Sequence, residues 1–101
     1  MNVLFICNQN ENRSKTAEKL FKNEFKTRSA GLYNQRPVTE KQIEWADTIV
    51  VMEPAQRSEI GKRFPKLYMQ KRIISLDIPD VYHVDQPELK SILSSKLKES
   101  L

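Results

Sequence analysis

VLFICNQNENRS, residues 3–14, is the stretch from which the fold and the chemistry of this chain can be inferred. Its first four residues, Val3 to Ile6, are all apolar, which is typical of a strand buried on both faces of a parallel sheet. A polar loop of five residues follows Cys7, and an amphipathic segment begins at Arg13. The sequence therefore predicts a cysteine at the end of a buried strand and an arginine at the mouth of a helix.

A loop of this kind has the chemistry of an anion site. Backbone N–H groups of a loop that curls into a helix N-terminus converge on a small anion and bind phosphate. The same positive field favours the thiolate form of Cys7, and Arg13 supplies a planar, bidentate donor for two phosphate oxygens. Ser14 can donate its hydroxyl to the thiolate and later help it leave. We therefore predict the active site of a cysteine-dependent phosphatase, although a lone Cys7 would also fit a small buried hydrophobe.

The five loop residues are expected to surround the bound phosphate. They are Asn8, Gln9, Asn10, Glu11 and Asn12. The loop has no glycine, so we expect asparagine to supply the positive φ that a tight turn needs, because it tolerates the left-handed region well. The Asn10 and Asn12 amides can also pin the loop by hydrogen bonds. A carboxylate would repel phosphate, so Glu11 is expected to point its side chain outward.

Phosphate transfer to sulfur also requires a general acid for the leaving oxygen and a base that later activates water. Asp77 and Asp80 follow the fourth predicted strand, so a parallel sheet would bring them to the edge that carries Cys7. We predict Asp80 as the acid, with Asp77 as the second choice. Tyr82 is expected to wall the pocket and stack on an aromatic substrate, and Tyr33 is a weaker candidate for that role.

Apolar patterns and turn signals divide the chain into alternating strands and helices. The predicted strands are residues 1–7, 26–30, 48–52 and 72–76, and the predicted helices are residues 13–25, 39–46, 54–63 and 87–101. Pro65 is expected to end the third helix. Strict alternation predicts a single α/β domain over residues 1–101, with a parallel sheet covered by helices on both faces. Ligands of such sheets bind at the carboxyl ends of the strands.

Composition limits the remaining possibilities. A chain of 101 residues suits one small domain, and no apolar run is long enough to span a bilayer. Cys7 is the only cysteine, so we expect no internal disulfide, a reducing cytoplasmic compartment and, with His83 as the only histidine, no metal site. The net charge is +4, but basic and acidic residues are interspersed, so no dedicated nucleic-acid partner is expected. We expect a monomer without a cofactor or a membrane partner.

The same motifs resemble those of the low-molecular-weight protein tyrosine phosphatases. The matching positions span most of the chain and comprise residues 3–7, 13–14, 17–18, 29–31, 46–52 and 79–82. The resemblance implies a flavodoxin-like three-layer sandwich with strand order 2-1-3-4. It also implies a cysteinyl-phosphate intermediate and a phosphorylated protein or small aryl phosphate as substrate. In that scheme Cys7 is the nucleophile, Arg13 binds phosphate, Ser14 assists the thiolate and Asp80 is the general acid.

The loop departs from the pattern of that family at two positions. Gln9 stands where the family carries a glycine, and Asn12 stands where it carries a second cysteine. The Asn-x-Asn-Arg-Ser form is more similar to the loop of the Ssu72-type phosphatases, which act on phosphoserine in the RNA polymerase tail. Two alternatives to a tyrosine phosphatase therefore stay open: an Ssu72-like phosphoserine phosphatase, and a phosphate- or phosphopeptide-binding module with little turnover.

Overall fold

Four parallel strands and the helices that cover them make up the structure, a computed structural model that describes residues 1–100. The strands are β1 (Asn2–Cys7), β2 (Lys26–Gly31), β3 (Thr48–Val51) and β4 (Arg72–Ser75). The helices are α1 (Arg13–Leu20), α2 (Glu40–Trp45), α3 (Pro54–Arg63), α4 (Pro65–Gln70) and α5 (Pro87–Ser100). The strand order is β2-β1-β3-β4, which confirms the predicted sheet.

The central strand β1 buries side chains on both faces of the sheet, because alternate residues of a strand point in opposite directions. Val3, Phe5 and Cys7 pack into the core cluster that also contains residues of α1 and α5. Leu4 and Ile6 pack into the opposite cluster, with residues of α2, α3 and α4. The molecule therefore has three layers. The residues of β1 from Val3 to Ile6 are all apolar because neither face of this strand meets water.

Helix α5 shows how one helix closes a face of the sheet. Leu89, Leu93 and Leu97 are buried at helical spacing, whereas none of the residues between them is buried. Burying each of these leucines contributes roughly 1.5–3 kcal/mol. Among the helices within residues 1–100, none is both long enough and apolar enough to cross a membrane.

Helix α1 is shorter than predicted, ending at Leu20 and not at Phe25. Residues 21–24 form a turn instead, although Phe21 and Phe25 fit the apolar stripe of the predicted helix. The chain has to reverse direction here, because the Lys26 N–H donates to the Met1 carbonyl (3.1 Å) where β2 begins beside β1. Sheet pairing therefore overrides the local helical pattern.

Helix α4 is a second difference, since the sequence analysis does not predict it. Helix α3 ends at Arg63 as expected, with Phe64 outside helical geometry at φ −133° and ψ 62°. Pro65 does not only end a helix; its fixed φ also suits the first helical position, where it starts α4. Leu67 and Tyr68 then pack against the core cluster shared by α2 and α3. This element depends on tertiary packing, because it is too short to be stable alone.

The carboxyl edge of the sheet positions the functional side chains. Because all strands are parallel, the segments that follow β1, β3 and β4 leave from this one edge. The chain beyond β4 continues alongside β3: the Leu76 N–H donates to the Val51 carbonyl (3.0 Å) and the Ile78 N–H to the Met52 carbonyl (2.8 Å). This extension carries the chain after β4 towards the loop after β1.

Candidate active site

The loop between β1 and α1, residues 8–12, curls tightly without a glycine. Asn10 has φ of 55°, as expected for an asparagine that takes the left-handed position of a tight turn. The end of the loop is tied to α1, because the Asn12 carbonyl accepts hydrogen bonds from the Thr16 N–H (3.0 Å) and hydroxyl (2.7 Å). The loop is therefore held by its own asparagines and by the first turn of the helix.

The segment after β2 supports the other end of this loop. The Leu32 and Tyr33 N–H groups both donate to the Asn8 carbonyl, at 3.0 and 2.8 Å. Gly31 permits this close approach: a Cβ there would lie 3.0 Å from the Asn8 carbonyl oxygen and 2.7 Å from Asn34 Oδ1. The missing side chain therefore allows the two loops to pack directly on each other.

Cys7 lies at the end of β1 and is only 4% exposed. Its Sγ lies 2.9 Å from Ser14 Oγ, and either atom can be the donor. The Ser14 hydroxyl, also buried, contacts Asn10 Oδ1 at 2.7 Å. A hydroxyl in this position can donate to a thiolate, and hydrogen bonds to a charged acceptor are the stronger kind.

Arg13 is the largest fully buried side chain of the site, with 1% exposure. Its Nη1 donates to Glu53 Oε2 (2.8 Å) and to the Ile78 carbonyl (2.7 Å). Within residues 1–100, its Nε is buried and has no hydrogen-bond acceptor. One edge of the guanidinium is thus fixed by the protein, while a donor on another edge is free for an anion.

A small cavity opens above the thiol. Its lining residues are Cys7, Gln9, Glu11, Asn12, Arg13 and Asp80. The volume is about 40 Å³. A single water needs roughly 10–15 Å³ on the same measure, so the cavity has room for a few waters or one small tetrahedral anion. Glu11 is exposed, yet it contributes to the lining of this cavity.

The two candidate acids occupy different positions. Asp80 Oδ1 lies 3.7 Å from Arg13 Nε, and this side chain is 55% exposed at the cavity. Asp77 has φ of 57°, accepts a hydrogen bond from the Ser75 hydroxyl (2.9 Å), and is not among the residues that line the cavity. Of the two aspartates, Asp80 therefore lies at the cavity that Cys7 also lines.

Tyr82 and His83 lie outside the cavity. Tyr82, predicted to wall the pocket, is half-buried against the core cluster of α1 and α5 and lines a groove with α5. An aromatic ring buries more apolar surface against that helix than it would at an open rim. His83 is exposed, and its N–H donates to Gln86 Oε1 (2.9 Å). Asn8 and Asn10 support the loop but do not line the cavity.

The sequence analysis missed two residues, Glu53 and Gln56. Both lie where β3 passes into α3 and form a capping box, in which Gln56 Oε1 accepts a hydrogen bond from the Glu53 N–H (3.0 Å). The Glu53 carboxylate binds Arg13, and the Gln56 amide donates to Asn8 Oδ1 (3.1 Å). The capping-box spacing after a predicted strand was the available signal; parallel topology would have placed it beside the loop.

Comparisons with known proteins identify the fold. No family model matches the sequence, and no curated protein matches it significantly. Among solved structures, the low molecular weight protein tyrosine phosphatase from T. tengcongensis superposes with a TM-score of 0.78 at 19% identity, covering 100% of this chain and 99% of that one. The chain therefore has the fold of the low-molecular-weight protein tyrosine phosphatases, which confirms the resemblance seen in the sequence.

Two further solved structures that superpose on this chain are phosphatases. The YwlE arginine phosphatase from Geobacillus stearothermophilus has a TM-score of 0.73 and 19% identity, with coverage of 98% of this chain and 91% of that chain. The tyrosine phosphatase Wzb from Escherichia coli K30, solved in complex with phosphate, has a TM-score of 0.73 and 17% identity, with coverage of 98% and 94%. Identities this low establish a common fold and leave the activity to be argued from the site.

Proposed function

We propose that this chain is a cysteine-dependent phosphomonoesterase that acts on protein-bound phosphotyrosine or a similar aryl phosphate. One observation carries the proposal. Cys7 Sγ and the buried Nε of Arg13, which has no hydrogen-bond acceptor within residues 1–100, belong to residues that line the same small cavity. A nucleophile and a free cationic donor are the two groups that attack on phosphorus needs in one place.

The first chemical step forms a cysteinyl-phosphate. The Cys7 thiolate attacks phosphorus in line, so the P–S bond forms while the bond to the leaving oxygen breaks. Asp80, when protonated, gives its proton to that oxygen, because an alkoxide or phenoxide leaves poorly. Arg13 and the loop N–H groups stabilise the negative charge on the remaining phosphate oxygens.

The second step releases inorganic phosphate. The Asp80 carboxylate takes a proton from a water molecule, which attacks phosphorus as the P–S bond breaks. The electron pair returns to Cys7 as a thiolate, and the Ser14 hydroxyl, 2.9 Å away, donates to it. The enzyme is thereby restored without any other reactant.

An aryl substrate is supported by apolar side chains near the loop. Tyr33 is exposed, and its backbone N–H donates to the Asn8 carbonyl, so it adjoins the loop. Val81 is also exposed and directly follows Asp80. Exposed apolar side chains that adjoin the loop and follow Asp80 suit the ring of a phosphotyrosine.

Phosphoarginine is a second candidate substrate, favoured by Glu11. Glu11 is one of the residues that line the cavity. A carboxylate at this position would attract a cationic guanidinium group and would give no such attraction to a neutral aryl group. An arginine phosphatase also has this fold, with 19% identity. The fold does not distinguish between these two substrates, so the choice is made by experiment.

The decisive experiment compares wild type with Cys7→Ser in the hydrolysis of p-nitrophenyl phosphate. Wild type should turn over and Cys7→Ser should lose activity by several orders of magnitude, as expected when a nucleophile is removed. Circular dichroism of both proteins checks that the fold is intact. Equal rates would end the proposal, whereas vanadate binding without turnover by wild type would favour the phosphate-binding module.

Substrate class is tested with phosphotyrosine, phosphoarginine and phosphoserine peptides of one sequence. We expect the largest kcat/KM for phosphotyrosine. Glu11→Gln removes the carboxylate and keeps the side-chain shape, so it should raise the ratio of phosphotyrosine to phosphoarginine turnover. A preference of wild type for phosphoarginine that Glu11→Gln abolishes would support the second candidate, and a preference for phosphoserine would support the Ssu72-like alternative.

A further inference from the structure

Gln56 has an amide whose orientation the structure determines. The residue is 3% exposed, and its Oε1 accepts hydrogen bonds from the N–H groups of Met52 (2.8 Å) and Glu53 (3.0 Å). Two backbone donors facing one atom identify that atom as oxygen, because a flipped amide would oppose N–H groups to N–H groups. The Nε2 atom must therefore point the other way.

That Nε2 atom is linked to both ends of the anion loop, directly at one end and through Glu53 at the other. It donates to Asn8 Oδ1 (3.1 Å), on the first residue of the loop, and to Glu53 Oε2 (3.3 Å). The same Glu53 oxygen accepts from Arg13 Nη1 (2.8 Å), just beyond the last residue of the loop. The amide uses two donors and two acceptor sites, so all of its hydrogen-bonding capacity is engaged.

We infer that Gln56 is a positioning residue of the proposed phosphatase, holding the two ends of the anion loop and the Arg13 guanidinium in register. The inference rests on the proposed function for its effect on catalysis. Arg13 presents Nε to the cavity only while its Nη1 stays on Glu53 and the Ile78 carbonyl. A displacement of about 1 Å at such a group costs about 100-fold in rate.

Gln56→Glu tests this role with minimal change. A glutamate keeps the oxygen that accepts the two backbone N–H groups and is favoured at this position of a capping box, so the helix should still form. It loses both donors and sets a carboxylate oxygen against Glu53 Oε2, which is 3.3 Å from the present nitrogen. We expect vanadate to bind about 10- to 100-fold more weakly and kcat to fall by a similar factor, and Tm to fall as well, because the variant buries a carboxylate beside that of Glu53.

Gln42→Glu is the matched control. Gln42 occupies the same position in the capping box of α2, and its Oε1 accepts from the Thr39 N–H (2.8 Å). Neither Gln42 nor Gln56 lines the cavity. The substitution makes the same chemical change at the same helical position, and we expect vanadate affinity and kcat within twofold of wild type.

A second variant removes the other half of the contact. Asn8→Ala deletes the acceptor and leaves the α3 capping box intact, so it replaces Gln56→Glu if that protein does not fold. When both fold, the double variant should lose less than the product of the two single losses, because the contact between Asn8 Oδ1 and residue 56 is broken in each single variant. Fully multiplicative losses would overturn the inference, as would wild-type vanadate binding by Gln56→Glu or an equal loss in Gln42→Glu.

A readout without turnover separates this inference from the proposed function. The Nε–H signal of Arg13 in NMR should be single and sharp in wild type and in Gln42→Glu, and shifted or broadened in Gln56→Glu. An unchanged signal in Gln56→Glu would overturn the positioning role. Absence of turnover and of vanadate binding in wild type would overturn the proposed function alone.

Discussion

Asn10→Asp changes one atom beside the thiol and tests how the site handles its proton. Ser14 Oγ lies between Cys7 Sγ (2.9 Å) and Asn10 Oδ1 (2.7 Å), yet a hydroxyl has one proton to give. With a thiol, the S–H donates to Ser14, and Ser14 donates to Asn10. With a thiolate, Ser14 must donate to sulfur, and the Asn10 amide must turn to offer an N–H to Ser14. An amide serves both states, because it carries a donor and an acceptor.

An aspartate at position 10 can accept the Ser14 hydrogen bond that accompanies the Cys7 thiol, but it cannot make the one that accompanies the thiolate. A carboxylate has no proton to offer, and it holds the Ser14 hydroxyl on itself. The thiolate then loses a hydrogen bond to a charged group, worth about 1.5–3 kcal/mol. That loss corresponds to about 10- to 150-fold in rate. The backbone should be unaffected, since aspartate tolerates the φ of 55° almost as well as asparagine does.

Two assays measure the effect. The first is kcat/KM for p-nitrophenyl phosphate, and the second is the rate of alkylation of Cys7 by neutral iodoacetamide, which follows the thiolate without any turnover. Asn23→Asp is the control, because Asn23 is exposed in the turn after α1 and the net charge changes equally. Wild-type rates of both alkylation and turnover in Asn10→Asp would refute the proton argument.

Three further predictions concern the acid, the loop support and the core. Asp80→Asn should slow hydrolysis of phenyl phosphate by about 10²- to 10⁴-fold because it removes the proposed general acid, whereas Asp77→Asn should stay within twofold; the reverse pattern would move the assignment to Asp77. Gly31→Ala should lower the free energy of unfolding by about 1–3 kcal/mol in urea titration, because its Cβ would meet the Asn8 carbonyl at 3.0 Å; unchanged stability would contradict that clash. Leu93→Ala should lower the free energy of unfolding by about 2–5 kcal/mol, since this α5 side chain is fully buried. A loss below about 1 kcal/mol would contradict its place in the core.

Much of the fold follows from the sequence because the signals are local. The apolar run of β1 and the succession of strands and helices are set by neighbours within a few residues, and the structure confirms the four predicted strands and their order. The exceptions are the end of α1 and the presence of α4. In both, pairing or packing with distant residues decided between local alternatives that the sequence left close in energy.

The sequence by itself determined which residues stand at the thiol: Cys7, Asn10, Arg13 and Ser14 meet because a short loop between a strand and a helix has few conformations. Only the tertiary structure decided which distant groups join them. The Arg13 partners Glu53 and Ile78 lie 40 and 65 positions away along the chain. Such contacts depend on strand order and on where each strand ends, which spacing along a chain does not encode. For the same reason it is the fold that brings Asp80, and not Asp77, to within 3.7 Å of Arg13.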